Sequence, residues 1–276
     1  MEALPTPKGI SERNRQLLAT LHRKARGPFT VREAAGVLSL GVAQTHRFLA
    51  YLAARGWLVR TRRGLYGTVP LDAVEPAQWR EDPWVVASKV FGPSFYIAGW
   101  SACEHWGLTD QLFRETVVVT RRRLRRRVIE IQGFSYHAKS VAEHKIFGTR
   151  TVWRDQIKVQ VSDPTRTVVD ILDDPSIGGG IRYVAEVLAA YLRSDHRSDV
   201  LLAEYAHRVG NRTIFKRLGY LLESLGIAAP ELIEICKNAM SSGVSLLDPT
   251  LGDEGHVLRR WNLRLNAVLG SEGAER

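Results

Sequence analysis

Ser39-Leu40-Gly41-Val42-Ala43-Gln44-Thr45-His46-Arg47-Phe48-Leu49-Ala50-Tyr51-Leu52-Ala53-Ala54-Arg55-Gly56-Trp57-Leu58-Val59-Arg60-Thr61-Arg62-Arg63-Gly64-Leu65-Tyr66-Gly67-Thr68 is the stretch whose reading decides the fold. Between Gly41 and Arg55, Val42, Leu49, Leu52 and Ala53 repeat with the period of one helix face. Gln44, Arg47, Tyr51 and Arg55 recur at helical spacing on the opposite face, with donors long enough to reach base edges in a major groove. Gly56 stands where a helix-ending glycine belongs. Two short strands follow, 57–60 and 65–69, around a turn of Thr61-Arg62-Arg63-Gly64. A polar-striped helix continued by an arginine-tipped hairpin predicts a winged helix-turn-helix. Its expected DNA contacts are Gln44, Thr45, Arg47, Tyr51 and Arg55 on the helix and Arg60, Arg62 and Arg63 on the wing.

Upstream, residues 14–25 carry Leu17, Leu18 and Leu21 on one helical face, and Gly27-Pro28 ends the run. Thr30-Val31-Arg32-Glu33 has the spacing of a capping box opening a short helix to Leu38. Ser39-Leu40-Gly41 is then the turn of the helix-turn-helix, where the glycine is expected to relieve a tight geometry.

Charge points the same way. The chain of 276 residues has net charge +10. Residues 1–70 hold 12 Lys or Arg against 3 Asp or Glu, whereas the other 206 hold 27 against 26. The excess therefore sits on the winged-helix segment, as expected of a surface that neutralises phosphates. Cys103 and Cys236 form neither a disulfide framework nor a zinc site. No membrane-length apolar run and no signal-peptide core are apparent, so a cytoplasmic protein with no membrane partner is expected.

A proline-punctuated connector over residues 71–83 places the expected boundary between a DNA-binding domain, 1–70, and a second domain, 84–276. Trp84 to Phe91 reads as a helix with Val85, Val86 and Val90 inward. In Tyr96–Leu108, Ser101 and Glu104 have N-cap and N3 spacing for a short helix ending at Gly107. Strand-like runs at 115–120, 127–132, 134–137, 151–153 and 156–161 predict a small, mostly antiparallel sheet. A helix opening at Asp163-Pro164, four further helices between 180 and 241, and closing strands near 244–247 and 259–266 complete a mixed α/β domain. Between the first two strands lie Arg121, Arg122, Arg123, Arg125, Arg126 and Arg127, six arginines in seven residues. Such a loop is either solvated, or a second phosphate contact, or a contact for an acidic partner.

Catalytic patterns are sparse. Glu143-His144-Lys145 has the E-x-K spacing of some nucleases, and Asp155 with Lys158 would add a second carboxylate and lysine around Mg²⁺. That chemistry expects a strand with an apolar continuation, which residues 141–148 do not offer. No cofactor, metal or enzymatic activity is expected. The alternatives kept open are a ligand-sensing winged-helix transcription factor and a DNA-binding nuclease.

Ser101-Ala102, Trp106-Gly107-Leu108, Asp163-Pro164-Thr165-Arg166-Thr167-Val168-Val169-Asp170, Arg217-Leu218-Gly219-Tyr220-Leu221-Leu222-Glu223 and Arg260-Trp261-Asn262-Leu263-Arg264-Leu265-Asn266 occur in that order after the winged helix. Together they resemble the AbiEi family, the antitoxins of AbiE-type (type IV) toxin–antitoxin systems, in particular its mycobacterial members. The resemblance spans nearly the whole chain. It implies a repressor that binds inverted repeats of double-stranded DNA upstream of its own operon, and a C-terminal domain that counters a cognate nucleotidyltransferase toxin. The arginine-rich loop belongs to no motif of that resemblance.

Overall fold

The computed structural model describes residues 9–70 and 79–269. Most of the proline-rich connector, 71–78, lies outside them. The chain forms two compact units. One runs to Phe95 and takes in Val128–Tyr136 and Thr151–Val159; the other comprises Tyr96–Arg127, His137–Arg150 and the chain from Gln160 onward. This differs from the boundary expected at 71–83. Helix α4 (Pro83–Val90) goes with the first unit, where it makes several contacts. The Arg154 guanidinium lies 4.1 Å from the Trp84 ring centroid, the Tyr136 hydroxyl donates to the Pro83 carbonyl at 2.9 Å, and Lys89 pairs with Glu33 at 2.9 Å.

In the first unit, α1 (Glu12–Lys24), β1 (Phe29–Thr30), α2 (Val31–Leu38), α3 (Val42–Ala54), β2 (Leu58–Arg62) and β3 (Leu65–Thr68) follow in order. The capping box forms as its spacing requires: Glu33 N–H donates to Thr30 Oγ1 at 3.2 Å and Thr30 N–H to Glu33 Oε2 at 2.6 Å. The turn between α2 and α3 is made differently from the expectation. Ser39, not Gly41, takes the left-handed conformation, with φ 52°, and its N–H returns to the last turn of α2. Gly41 is extended, with φ −62°, and caps α3. The end of α3 follows the Schellman pattern, Gly56 N–H donating to the Ala53 carbonyl and Trp57 N–H to the Leu52 carbonyl. The strands form a three-stranded sheet in the order β1-β3-β2, its edge strand β1 having no separate sequence signal. Leu18, Leu21, Phe29, Ala34, Leu38, Leu49, Leu52, Leu58 and Tyr66 make one buried cluster beneath it. Three helices around that core with a β2–β3 hairpin beside them are a winged helix-turn-helix.

Asp82 opens α4 by accepting from the Trp84 and Val85 N–H groups, with Pro83 at the first helical position. The remaining elements are β4 (Phe95–Ile97), α5 (Gly99–His105), β5 (Glu115–Thr120), β6 (Val128–Ile131), β7 (Phe134–Ser140), β8 (Thr149–Arg154), β9 (Ile157–Ser162), α6 (Pro164–Asp173), α7 (Ile181–Arg193), α8 (Asp199–Val209), α9 (Thr213–Ser224), α10 (Pro230–Ala239), β10 (Ser245–Leu246), β11 (His256–Leu258) and β12 (Leu263–Leu265). Strands β4 to β9 form one sheet ordered β6-β7-β5-β4-β9-β8. The short strand β4, one of its two central strands, pairs in parallel with β9 through Ile97 and Val161. Ser101 does not cap α5: that helix starts at Gly99, and the Ser101 hydroxyl accepts from Val117 N–H at 3.0 Å, fastening α5 to β5.

Helix α6 is the hub of the second unit, with α5, α7, α8 and α9 packed against it. Each of its residues from Pro164 to Leu172 is buried, so an amphipathic face cannot be distinguished. Asp163 caps it by accepting from Arg166 N–H at 2.8 Å.

Candidate nucleic-acid interface

Burial in α3 is set by Thr45, Leu49 and Leu52, which point into the core. Thr45 is fully buried and its hydroxyl donates to the Gly41 carbonyl at 3.0 Å. The expectation that Thr45 touches DNA is therefore corrected. Its methyl suits a core site, and its hydroxyl is satisfied within the helix. Val42, expected inside, is 53% exposed. At helical spacing the line opposite Leu49 and Leu52 runs through Ala43, Arg47, Ala50 and Ala54, with Gln44 and His46 flanking it. All six are exposed. Three alanines on that line keep the helix surface low, and Arg47 is its one long donor.

Tyr51 and Arg55 are less available than the sequence suggests. Both are half-buried, the Arg55 guanidinium stacks on the Tyr51 ring at 4.6 Å, and it donates to the Gly9 carbonyl at 2.9 Å. They brace the end of α3 against the segment preceding α1.

The wing turn is shorter than expected. Leu58, Val59, Arg60 and Arg62 pair with Thr68, Gly67, Tyr66 and Leu65, with an irregularity at Thr61, so only Arg63 and Gly64 form the loop. Gly64 has φ +78°, the left-handed backbone that such a turn demands. The bulge buries Thr61 and leaves Arg60, Arg62 and Arg63 exposed. A shallow groove runs between the starts of α2 and α3 and this turn, lined by Thr30, Val31, Arg32, Ala43, His46, Arg47 and Gly64. Arg32 and His46 carry no signal of their own in the sequence pattern. The exposed i, i+3 and i+4 neighbours of Ala43 would have identified His46, but nothing in the capping box betrays that Arg32 shares its groove.

The other sequence candidates are placed as follows. Arg166 is 2% exposed; its Nη2 donates to Asp170 Oδ1 at 2.9 Å, the Tyr96 hydroxyl at 2.9 Å and the Lys145 carbonyl at 3.2 Å. Its guanidinium also lies 4.1 Å from the Phe147 ring centroid. Burial pushes the Asp170 carboxyl upward, against the pull of Arg166. Glu143-His144-Lys145 is a short 3₁₀ turn and not a strand, and Glu143 is exposed and paired with Arg121 at 2.8 Å. Asp155 sits in the β8–β9 turn with φ 52°, and Lys158 lies over the Trp153 ring. Among the described residues, no group of three or more His, Cys, Asp or Glu is arranged to hold a metal ion. No helix among them is long and apolar enough to cross a membrane.

A family model described as transcriptional regulator, AbiEi antitoxin, matches residues 16–69. That span runs from α1 to the end of the wing. Among solved structures, the Rv2827c protein of Mycobacterium tuberculosis superposes with a TM-score of 0.63 at 17% identity, covering 95% of this chain and 94% of that one. No curated protein sequence matches. At that identity the likeness establishes a shared fold over nearly the full length of both chains. The chain thus has the fold of that mycobacterial protein, and its winged-helix segment matches the AbiEi-antitoxin family of transcriptional regulators.

Proposed function

We propose that the chain is a DNA-binding antitoxin that represses its own toxin–antitoxin operon. In this reading α3 lies in the major groove of an inverted-repeat operator, with Arg47 reading a base edge and Gln44 and His46 beside it. Ala43, Ala50 and Ala54 let the helix backbone approach the bases, while Arg60, Arg62, Arg63 and Arg32 meet phosphates. The observation that carries the reading is the exposed Ala43–Arg47–Ala50 line beside the arginine-bearing wing. The family match over the same segment supports it. The remainder of the chain counters a cognate nucleotidyltransferase toxin, the protein acts in the cytoplasm, and it carries out no catalytic step.

Two linked experiments test this with the full chain. A promoter–reporter fusion of the chain's own upstream region should be repressed by the protein and released by Arg47→Ala. Co-expression should restore growth to cells carrying a nucleotidyltransferase encoded beside the gene. Repression unaffected by Arg47→Ala together with loss of both Arg62 and Arg63 would overturn the DNA-binding half. Failure to rescue by abundant protein would overturn the antitoxin half. The experiment uses the whole chain because a cut near Asp82 would remove α1, α2 and α3, which share a compact unit with 128–136 and 151–159.

A further inference from the structure

The arginine-rich connection between β5 and β6 does more than face solvent. Its last three arginines, Arg125, Arg126 and Arg127, line a recess of about 300 Å³ with Leu124, His137, Ala138, Lys139, Ser140, Asp174 and Ile177. All of these belong to the second compact unit. The recess is held in place by its floor: Ala138 N–H donates to the Arg127 carbonyl at 2.7 Å, and Ser140 Oγ donates to the Arg122 carbonyl at 3.0 Å.

The charges around the recess do not cancel. Lys139 is committed to Asp173 at 2.7 Å and Asp174 at 3.2 Å. Asp174 is further occupied by Ser176, which donates from its hydroxyl at 2.6 Å. Lys139 balances one of these two carboxylates and leaves one negative charge beside the recess, and the Arg121–Glu143 pair lies outside the lining. Arg125, Arg126 and Arg127 form no ion pair among the described residues. Three guanidinium groups against that one carboxylate leave the concavity with an excess of positive charge, with the His137 ring alongside. Guanidinium forks match the oxygens of a phosphoryl group, and Leu124, Ala138 and Ile177 offer apolar surface for the rest of a ligand. A volume near 300 Å³ is at the small end of ligand pockets and suits a mononucleotide.

We propose that this recess binds a small phosphomonoester of mononucleotide size, its phosphoryl group held by Arg125, Arg126 and Arg127. The site is independent of the wing and of the reading given above. Duplex phosphates are the competing source of the same chemistry, and saturable binding of a free nucleotide distinguishes the two.

Isothermal titration of the full-length protein with AMP, GMP, CMP and UMP, and with the matching nucleosides, tests this directly. At least one monophosphate should bind saturably, its nucleoside should not, and Arg126→Glu should weaken binding by about tenfold or more. The Arg62→Ala and Arg63→Ala wing variant should bind the nucleotide as the wild type does. Arg126 is exposed, and a matched melting curve establishes that its variant is folded. Absence of binding at millimolar nucleotide, or binding that survives Arg126→Glu, overturns the proposal. So does an Arg126→Glu effect confined to duplex DNA affinity, which would make the loop a backbone contact.

Discussion

Replacing Arg166 by Met would show what holds the second unit together. The arginine is 2% exposed, and Asp170, its partner one helical turn on, is 4% exposed. Removing the guanidinium leaves the Asp170 carboxylate beside the Tyr96 hydroxyl. The nearest alternative cation, Lys139, is already held by Asp173 and Asp174. Breaking a buried ion pair by removing one member costs about 3–5 kcal/mol, because an uncompensated charge stays behind. Removing the guanidinium from the Phe147 ring adds to that. Replacing both members, Arg166→Met with Asp170→Leu, leaves no buried charge and should cost much less than the single change. Acidity provides a second signature. Burial already pushes the Asp170 carboxyl up, and without Arg166 it rises further. Its folded value then exceeds its unfolded one, so protonation favours the folded state and the deficit of Arg166→Met narrows as pH falls. Urea denaturation of the full chain, followed by tryptophan fluorescence at neutral and mildly acidic pH, measures both effects. A single variant losing under about 1 kcal/mol, or a double variant no better than the single, would refute the reasoning.

Three further outcomes are expected. Gly219→Ala should destabilise by about 1–3 kcal/mol or more in the same denaturation assay, because a Cβ there overlaps the ring of the fully buried Trp261. Glu33→Gln should lower stability modestly at neutral pH and have no effect once the carboxyl is protonated. Burial pushes the Glu33 carboxyl up, but the Thr30 N–H and Lys89 outweigh it and hold it below the ordinary range, so its contribution is lost as pH falls through that lowered value. Neither thiol should react with a water-soluble disulfide reagent in the folded protein: both cysteines are buried, and burial pushes Cys236 up to about 12 and raises Cys103 as well.

The winged helix was legible because its signals are local. A capping box, a helix-ending glycine and an arginine-glycine turn each satisfy backbone groups within a few residues, and the structure contains all three. Thr45 reads as a surface contact because threonine is polar by type, yet it satisfies its hydroxyl on the preceding turn and buries its methyl. In the second unit, several motif residues have structural roles that only tertiary contacts reveal. Arg217 donates to the Leu172 and Asp173 carbonyls at the end of α6 and to Leu246 and Leu247, joining α6 to β10. Glu223 accepts from Trp261 Nε1 at 2.7 Å and from Arg260. Strand β4 is invisible in the sequence because three residues give no usable alternation, although it is one of the two central strands of the sheet. Which later strands return to join an earlier helix, as 128–136 and 151–159 do, likewise leaves no local mark in the sequence.

The central claim is that α3 reads base edges while the wing holds phosphates, and titration of the full-length protein with its upstream duplex separates the two. Fluorescence anisotropy over a range of salt concentrations would be recorded for wild type, Arg47→Ala and the Arg62→Ala, Arg63→Ala double variant. Arg47→Ala should lose about 1–3 kcal/mol of preference for the operator over a scrambled duplex with the salt slope little changed. The wing variant should weaken both duplexes alike and flatten the slope by roughly 0.9 for each phosphate that is no longer neutralised. Equal operator preference in wild type and Arg47→Ala, with an unchanged slope in the wing variant, would contradict the account.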